Sequence, residues 1–280
     1  MVNQKTKGQH YVTEAYLRSF SASGKLYCFR KPDRSFFESS PEKVCKKRYL
    51  YEIELPNHSE DEAKEFVALN LTESVLSYIE GECMASLNRL DEYVNGEIER
   101  PDSLRDDVGK IAVFAVHLLF RNPKMLEATR KPIAERIHDT LKEMLHRGGG
   151  PSDDLIPWAY EAANWETLIK WDEGTPQSNL TIELLTMGRV FLRDTTGRLI
   201  TSCAPIQIRP VGEPDYLTLY FPMTPRTAVL FVPREDVPTV FSIDVPDEVV
   251  TFFNSYYFSD ESIAETCIAS SYELLRDYVR

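Results

Sequence analysis

Apolar residues recur at three- and four-residue steps through the first half of the chain. Leu69, Leu76, Ile79, Cys83, Leu87, Leu90 and Val94 mark one face of a long helix over residues 61–94. Val108, Ile111, Ala112, Ala115, Leu118 and Leu119 predict a second helix over 104–121, apolar enough for the centre of a bundle. Asn122-Pro123 ends or kinks it. The period resumes at Met125, with Ile133, Ile137, Leu141 and Met144 or Leu145 on the next buried side. Gly148 to Gly150 and Pro151 break the pattern, and 153–171 is expected to be partly helical. Trp158 and Trp165 lie seven apart there and fit one core-packed face. Near the start, Tyr11, Val12, Ala15, Tyr16, Leu17 and Phe20 predict a short helix within 8–20, docked on a larger body. His10, Glu14 and Arg18 recur at four-residue spacing and would form a polar row beside that stripe.

The period changes elsewhere. Residues 26–29 predict a strand, with Phe36-Phe37 opening its hairpin partner. Residues 41–51 mix Lys43, Lys46, Lys47 and Arg48 with Val44, Tyr49, Leu50 and Tyr51. They read either as a basic surface with aromatic anchors or as a connection whose apolar residues point inward. After Pro176, strands are expected at 181–185, 189–192, 199–201, 206–211, 216–221, 227–232 and 239–245. The prolines punctuating these pieces favour an antiparallel or mixed sheet over a doubly wound parallel one. Helix returns at 247–257 and 259–279. The predicted class is α+β: an N-terminal helical bundle portion joined to an antiparallel or mixed β-sheet with C-terminal helices. We read 1–280 as a single α+β domain. Its subregions are a docking segment and hairpin (1–60), a helical region (61–175), a β-rich region (176–246) and C-terminal helices (247–280).

Composition narrows the class. No run of 18 apolar residues exists, so a membrane span is not expected, and the first eight residues lack the apolar segment of a secretory signal. The five cysteines are scattered, with no CxxC pair, so neither a zinc knuckle nor a disulfide framework is indicated. A reducing, cytoplasmic setting is the expectation. The net charge of -12 is uneven: residues 1–50 carry eleven basic and four acidic side chains, a surplus of seven positive charges. That segment is suited either to a polyanion or to the acidic remainder of its own chain. The acidic body argues against broad coating of DNA.

The ordered short motifs resemble the DUF4238 family, a bacterial family whose name records unknown function. Gln9-His10-Tyr11-Val12 and Tyr16-Leu17-Arg18-Ser19-Phe20 carry the first match, and Leu26-Tyr27-Cys28-Phe29 resembles the next element. Glu73, Ser77, Ile79 and Glu80 are similar to its central helical signature. Ala115 to Pro123 is similar to its helix ending in Arg, Thr and Pro, with Asn122 where threonine is frequent. Leu199 to Pro205 resembles a hydrophobic-Ile-Thr-Ser-Asp-Asn-Pro motif, with Cys203 for the usual aspartate and Ala204 for the asparagine. Phe221 to Arg226 resembles its Pro-Leu-Ser-Pro segment, and Phe252-Phe253-Asn254 with Tyr256-Tyr257 its terminal helix. The resemblance implies no substrate.

The chemistry these residues allow is phosphate-ester chemistry. His10 titrates near neutral pH and is suited to deprotonating a nucleophile, with Glu73 or Glu80 orienting it or holding Mg²⁺. Ser202 completes the catalytic candidates. Gln9, Arg18, Arg121 and Arg226 are the candidate substrate-binding residues, Arg121 as a bidentate phosphate clamp. Cys203 reads as structural, and His117 as a packed or surface histidine. No metal-ligand set, P-loop, nucleophile elbow or HExxH motif is present, and no cofactor or oligomeric state is specified. The leading expectation is a phosphate-ester or nucleic-acid-processing protein with a role in defence or toxicity, its partner nucleic acid or another phosphate-containing ligand. The alternative is a noncatalytic protein-binding or regulatory module, in which Gln9 and His10 tie the N-terminal segment to buried backbone.

Overall fold

The apolar periods at 76–94 and 104–121 form two helices packed side by side in the computed structural model, which describes residues 8–48, 50–51, 71–146, 156–172, 174–211, 216–233 and 241–279. Helix α2 (Leu71–Val94) buries Leu76, Cys83, Leu87, Leu90 and Val94, the stripe read from its spacing. Helix α3 (Leu104–Arg121) buries every residue from Phe114 to Arg121, which explains why its sequence is apolar nearly all round. Asp107, in its first turn, is fully buried. It is satisfied by Ser86 Oγ at 2.7 Å, Ser103 Oγ at 2.6 Å and the Arg89 guanidinium. Burial raises its carboxyl pKa, and those hydrogen bonds outweigh that effect and hold it below the usual range. Helix α4 (Pro123–His146) starts on Pro123, where a missing N–H costs nothing. Asn122 Oδ1 accepts the Lys124 N–H at 3.0 Å. Helix α5 (Ile156–Leu168) packs on α4, and α6 (Pro176–Thr186) on α3.

Three sheets accompany these helices. Strands β1 (Gly8–His10) and β4 (Lys46–Arg48) pair antiparallel. A four-stranded antiparallel sheet has the order β3-β2-β11-β6, from β2 (Leu26–Arg30), β3 (Ser35–Ser39), β6 (Thr201–Ser202) and β11 (Thr266–Ala269). A five-stranded sheet has the order β10-β5-β9-β8-β7, from β5 (Gly188–Arg193), β7 (Gln207–Val211), β8 (Tyr216–Pro222), β9 (Thr227–Val232) and β10 (Phe241–Asp244). Its β10–β5 pair is parallel and the others antiparallel, so the sheet is mixed. Helix α7 (Asp247–Tyr256) follows β10, and the short α8 (Glu273–Arg276) follows β11. The fold is α+β.

Helix α1 (Glu14–Ser19) locks the layers together through one side chain. The fully buried Tyr16 hydroxyl donates to Pro222 O at 2.6 Å and lies 2.7 Å from Thr201 Oγ1. Its ring packs on Phe20, Phe114 and Phe221, so α1, α3 and two sheets meet there.

Four expectations are corrected. Residues 181–185 are helical, within α6: Thr181 and Leu184 are buried three apart, while Ile182 and Leu185 face outward. Residues 259–279 are not one helix, because 266–269 insert as β11 between β2 and β6. Residues 8–20 divide into β1 and α1, so His10 stands outside the helix and the four-residue row reduces to the Glu14–Arg18 pair. Trp165 is 40% exposed rather than core-packed. Residues 61–70 of the first predicted helix, the glycine break at 148–151, residues 239–240 and the Trp158 side chain lie outside the described residues. Among the described residues, no helix is long and apolar enough to cross a membrane.

Candidate functional site

The strand period of β1 decides where the first motif points. Gly8 pairs with Arg48, Gln9 with Lys47 and His10 with Lys46. Successive side chains alternate faces, so His10 and Lys46 share one face and Gln9 takes the other. Gln9 is fully buried, and its Oε1 accepts the Tyr51 N–H at 2.8 Å. Lys46 leans across Gly8: a Cβ at position 8 would fall 2.2 Å from Lys46 Cε.

Behind this strand lies a closed polar network around Arg121. The Tyr51 hydroxyl donates to His10 O at 2.9 Å and accepts from Arg121 Nε at 2.8 Å. Arg121 Nη1 donates to Glu80 Oε1, and Nη2 donates to His10 O. Asn164 Nδ2 donates to Tyr51 O at 3.0 Å. The Arg121 side chain is 2% exposed and each of its three nitrogens is engaged by the chain itself. It therefore ties β1, α2 and Tyr51 to the end of α3. A phosphate could reach it only by displacing Glu80 or the Tyr51 hydroxyl.

Glu73 and Glu80, two turns apart on α2, both act electrostatically on Tyr51 and are half-buried. The structure thus gathers Gln9, His10, Glu73, Glu80 and Arg121 in one region. His10 is half-exposed. Burial lowers its pKa below 6.5, Lys46 lowers it further, and Glu14 and Glu80 oppose the shift. The Pro41 carbonyl accepts a hydrogen bond from its ring, while Nε2 has no hydrogen-bond partner among the described residues. Nδ1 therefore carries the proton, and Nε2 keeps its lone pair but is itself buried.

The remaining candidates lie elsewhere. Ser202 is fully buried in β6, and its Oγ accepts the Ala204 N–H at 3.1 Å. Arg18 faces solvent and pairs with Glu14. Arg226 pairs with Glu97 at 2.9 Å. Cys203 Sγ accepts backbone N–H groups from Glu265 at 3.2 Å and Thr266 at 3.3 Å, and burial pushes its thiol pKa up. It is an acceptor in a turn and poorly suited to act as a nucleophile.

A cleft of about 770 Å³ rich in lysine opens between β4 and the start of α4; His10 does not line it, although its chain neighbour Tyr11 and its strand partner Lys46 do. Lys46 and Lys47 come from β4, and Lys124 and Lys131 stand two turns apart on α4. Lys124 pairs with Glu265 at 2.9 Å, while Lys46, Lys47 and Lys131 form no ion pair among the described residues. Tyr11, Glu127 and Glu265 complete the charged and aromatic rim. Sequence reasoning singled out Lys46 and Lys47 but missed Lys124 and Lys131, which join them only when the start of α4 docks beside β4. It also missed Asn164 and the tie made by Tyr51. Among the described residues, no group of three or more His, Cys, Asp or Glu side chains is placed to hold a metal ion.

Neither curated proteins nor solved structures offer a match to this chain. One family model does match it, from Gly8 at the start of β1 through residue 264, and so spans the Arg121 network, His10 and the lysine cleft. The chain belongs to the DUF4238 family, described as proteins of unknown function.

Proposed function

We propose that the chain binds a phosphate ester, with nucleic acid as the polymeric form, in the lysine cleft, and that His10 acts on it as a general base. The observation carrying this reading is the convergence of Lys46, Lys47, Lys124 and Lys131 on one cleft, with His10 adjoining it through its chain neighbour Tyr11 and its strand partner Lys46. Lysines at this density attract phosphate oxygens as point charges. The step proposed requires ligand binding to uncover the buried His10 Nε2, which then takes the proton of a water or hydroxyl as its oxygen attacks phosphorus, and the leaving oxygen takes a proton from solvent. Glu80 and Arg121 position His10 through its own carbonyl and electrostatically, without touching substrate. A role in defence or toxicity would follow from a nucleic-acid target.

The second reading is a noncatalytic protein-binding or regulatory module. It is favoured by the closed network in which Gln9, Glu80 and Arg121 are used to tie chain segments together. A purified-protein assay against RNA, DNA and small phosphate esters, with and without Mg²⁺, separates the two. His10→Ala should reduce hydrolysis by on the order of 10²–10⁴-fold. Lys46→Ala with Lys131→Ala should weaken single-stranded RNA binding and flatten its salt dependence. Equal activity in His10→Ala removes His10 as the base. No hydrolysis and no polyanion binding favours the noncatalytic module.

A further inference from the structure

A second cleft, of about 720 Å³, opens between the end of α2, the start of α3 and the α6–β5 junction. That volume falls within the range of small-molecule pockets, roughly 300–1,000 Å³. Its charge is one-sided. Arg100, Arg105 and Arg189 line it and no acidic residue does, in a chain with 44 acidic and 32 basic side chains. Arg100 and Arg105 are exposed and form no ion pair among the described residues. Two of the acids near them are committed elsewhere, Asp106 to Lys110 at 3.4 Å and Asp107 to Arg89, Ser86 and Ser103, while the exposed Glu99 and Asp102 do not line the cleft. Arg189 is buried, and its Nη2 donates to Leu184 O at 3.1 Å and Leu185 O at 2.6 Å. It closes the last turn of α6.

The rest of the wall is largely apolar, including Leu104, Val108, Leu185 and Met187. Gly109 is the telling position. A glycine inside a helix costs stability relative to alanine. A Cβ there would meet only Leu185 Cδ2, at 3.9 Å, an ordinary contact. Packing therefore does not demand the glycine, and its effect is to keep the floor of the cleft open.

We propose that this cleft binds a small organic anion, its phosphate or carboxylate held by Arg100 and Arg105 and its aromatic or aliphatic body seated against Leu104, Val108 and Leu185. The site is separate from the lysine cleft and does not depend on the reading of His10. The fluorescent probe 8-anilinonaphthalene-1-sulfonate, an anion on an aromatic body, tests it on the full chain. Saturable one-site binding is expected, weakened about tenfold or more in an Arg100→Ala/Arg105→Ala double variant. Gly109→Leu, which fills the floor, should weaken it comparably. Circular dichroism checks that both variants fold, and the exposed arginines keep the test alive if Gly109→Leu does not. Adenosine monophosphate or decanoate should displace the dye, which assigns the phosphate or the carboxylate, and uncharged adenosine should not. The proposal is overturned by no saturable binding, by unchanged affinity in the arginine variant, by displacement with neither anion, or by adenosine displacing as well as its monophosphate.

Discussion

Replacing Tyr51 by phenylalanine removes a single oxygen from the centre of the Arg121 network. The ring keeps its volume and its place, 5.6 Å from the guanidinium carbon. Two hydrogen bonds are lost: hydroxyl to His10 O at 2.9 Å, and Arg121 Nε to hydroxyl at 2.8 Å. The His10 carbonyl keeps Arg121 Nη2 as donor, so that half of the loss is covered. Arg121 Nε has no such reserve, and its side chain, 2% exposed, is shielded from water. An unsatisfied buried donor costs about 1–3 kcal/mol, and more on a charged group. We therefore expect Tyr51→Phe to lower stability by about 2 kcal/mol, roughly 30-fold in the folding equilibrium. In a chain of this size that corresponds to a fall in Tm of roughly 3–4 °C. Urea unfolding followed by circular dichroism measures it. A loss below about 0.5 kcal/mol would refute the claim that Arg121 depends on this hydroxyl. If the network only ties segments together, the folded variant should also retain its ligand affinity.

Three further outcomes follow from named contacts. Cys203→Ala strands the Glu265 and Thr266 N–H groups and should cost about 1–2 kcal/mol, whereas Cys203→Asp restores a strong acceptor. Thermal melts should rank Asp at or above Cys, with Ala lowest, and an alanine variant as stable as the parent would remove the acceptor role. His117 is buried beside Arg121, and burial first and that charge second push its pKa down to about 3. The unfolded chain takes up this proton near pH 6.5, so stability present above that pH is lost as the pH falls toward 3, by up to about 1.4 kcal/mol per pH unit. His117→Phe, which preserves the ring against Trp171, should flatten that slope in urea midpoints measured across the window, and an unchanged slope would sink the assignment. Gly109→Ala should raise stability by roughly 0.5–1 kcal/mol, because the helix gains propensity and the new Cβ meets only an ordinary contact. A destabilised alanine variant would show that packing does require the glycine.

How much of the fold was legible depended on whether one period dominated. Helix α3 was read with its bounds because its apolar run is long, ends at Asn122-Pro123 and has no competing period. Strands β7, β8 and β9 were legible because their apolar and β-branched runs end in prolines or turns. Two of the four corrected expectations concern short apolar segments, where the period is ambiguous. Thr181-Ile182-Glu183-Leu184-Leu185 reads as a strand in isolation, and Pro176 at the start of a helix was the signal that outweighs it. Thr266-Cys267-Ile268-Ala269 is a strand covered by neighbours on both edges, and its buried run resembles the side of a helix.

The candidate site was legible in its residues and illegible in its connections. Sequence spacing placed Glu73 and Glu80 on one flank of α2 and singled out His10 and Arg121, and the fold brings these residues into one region. What spacing could not show is that Arg121 reaches the carbonyl of His10 rather than its ring. That difference separates a catalytic pairing from a backbone tie, and it arises because β1 is a strand whose carbonyl faces the end of α3. The reverse holds for the lysines. Lys46 and Lys47 read either as part of a basic surface with aromatic anchors or as part of a connection, and Lys124 and Lys131 do not stand out in the sequence. They gain interest only together, as four lysines gathered on one cleft that also carries Glu127 and Glu265. Lys124 has Glu265 to offset its charge, while Lys46, Lys47 and Lys131 have no ion-pair partner among the described residues. The proposed function therefore rests less on the paired, buried residues of the most recognisable motif than on the exposed lysines of the neighbouring cleft.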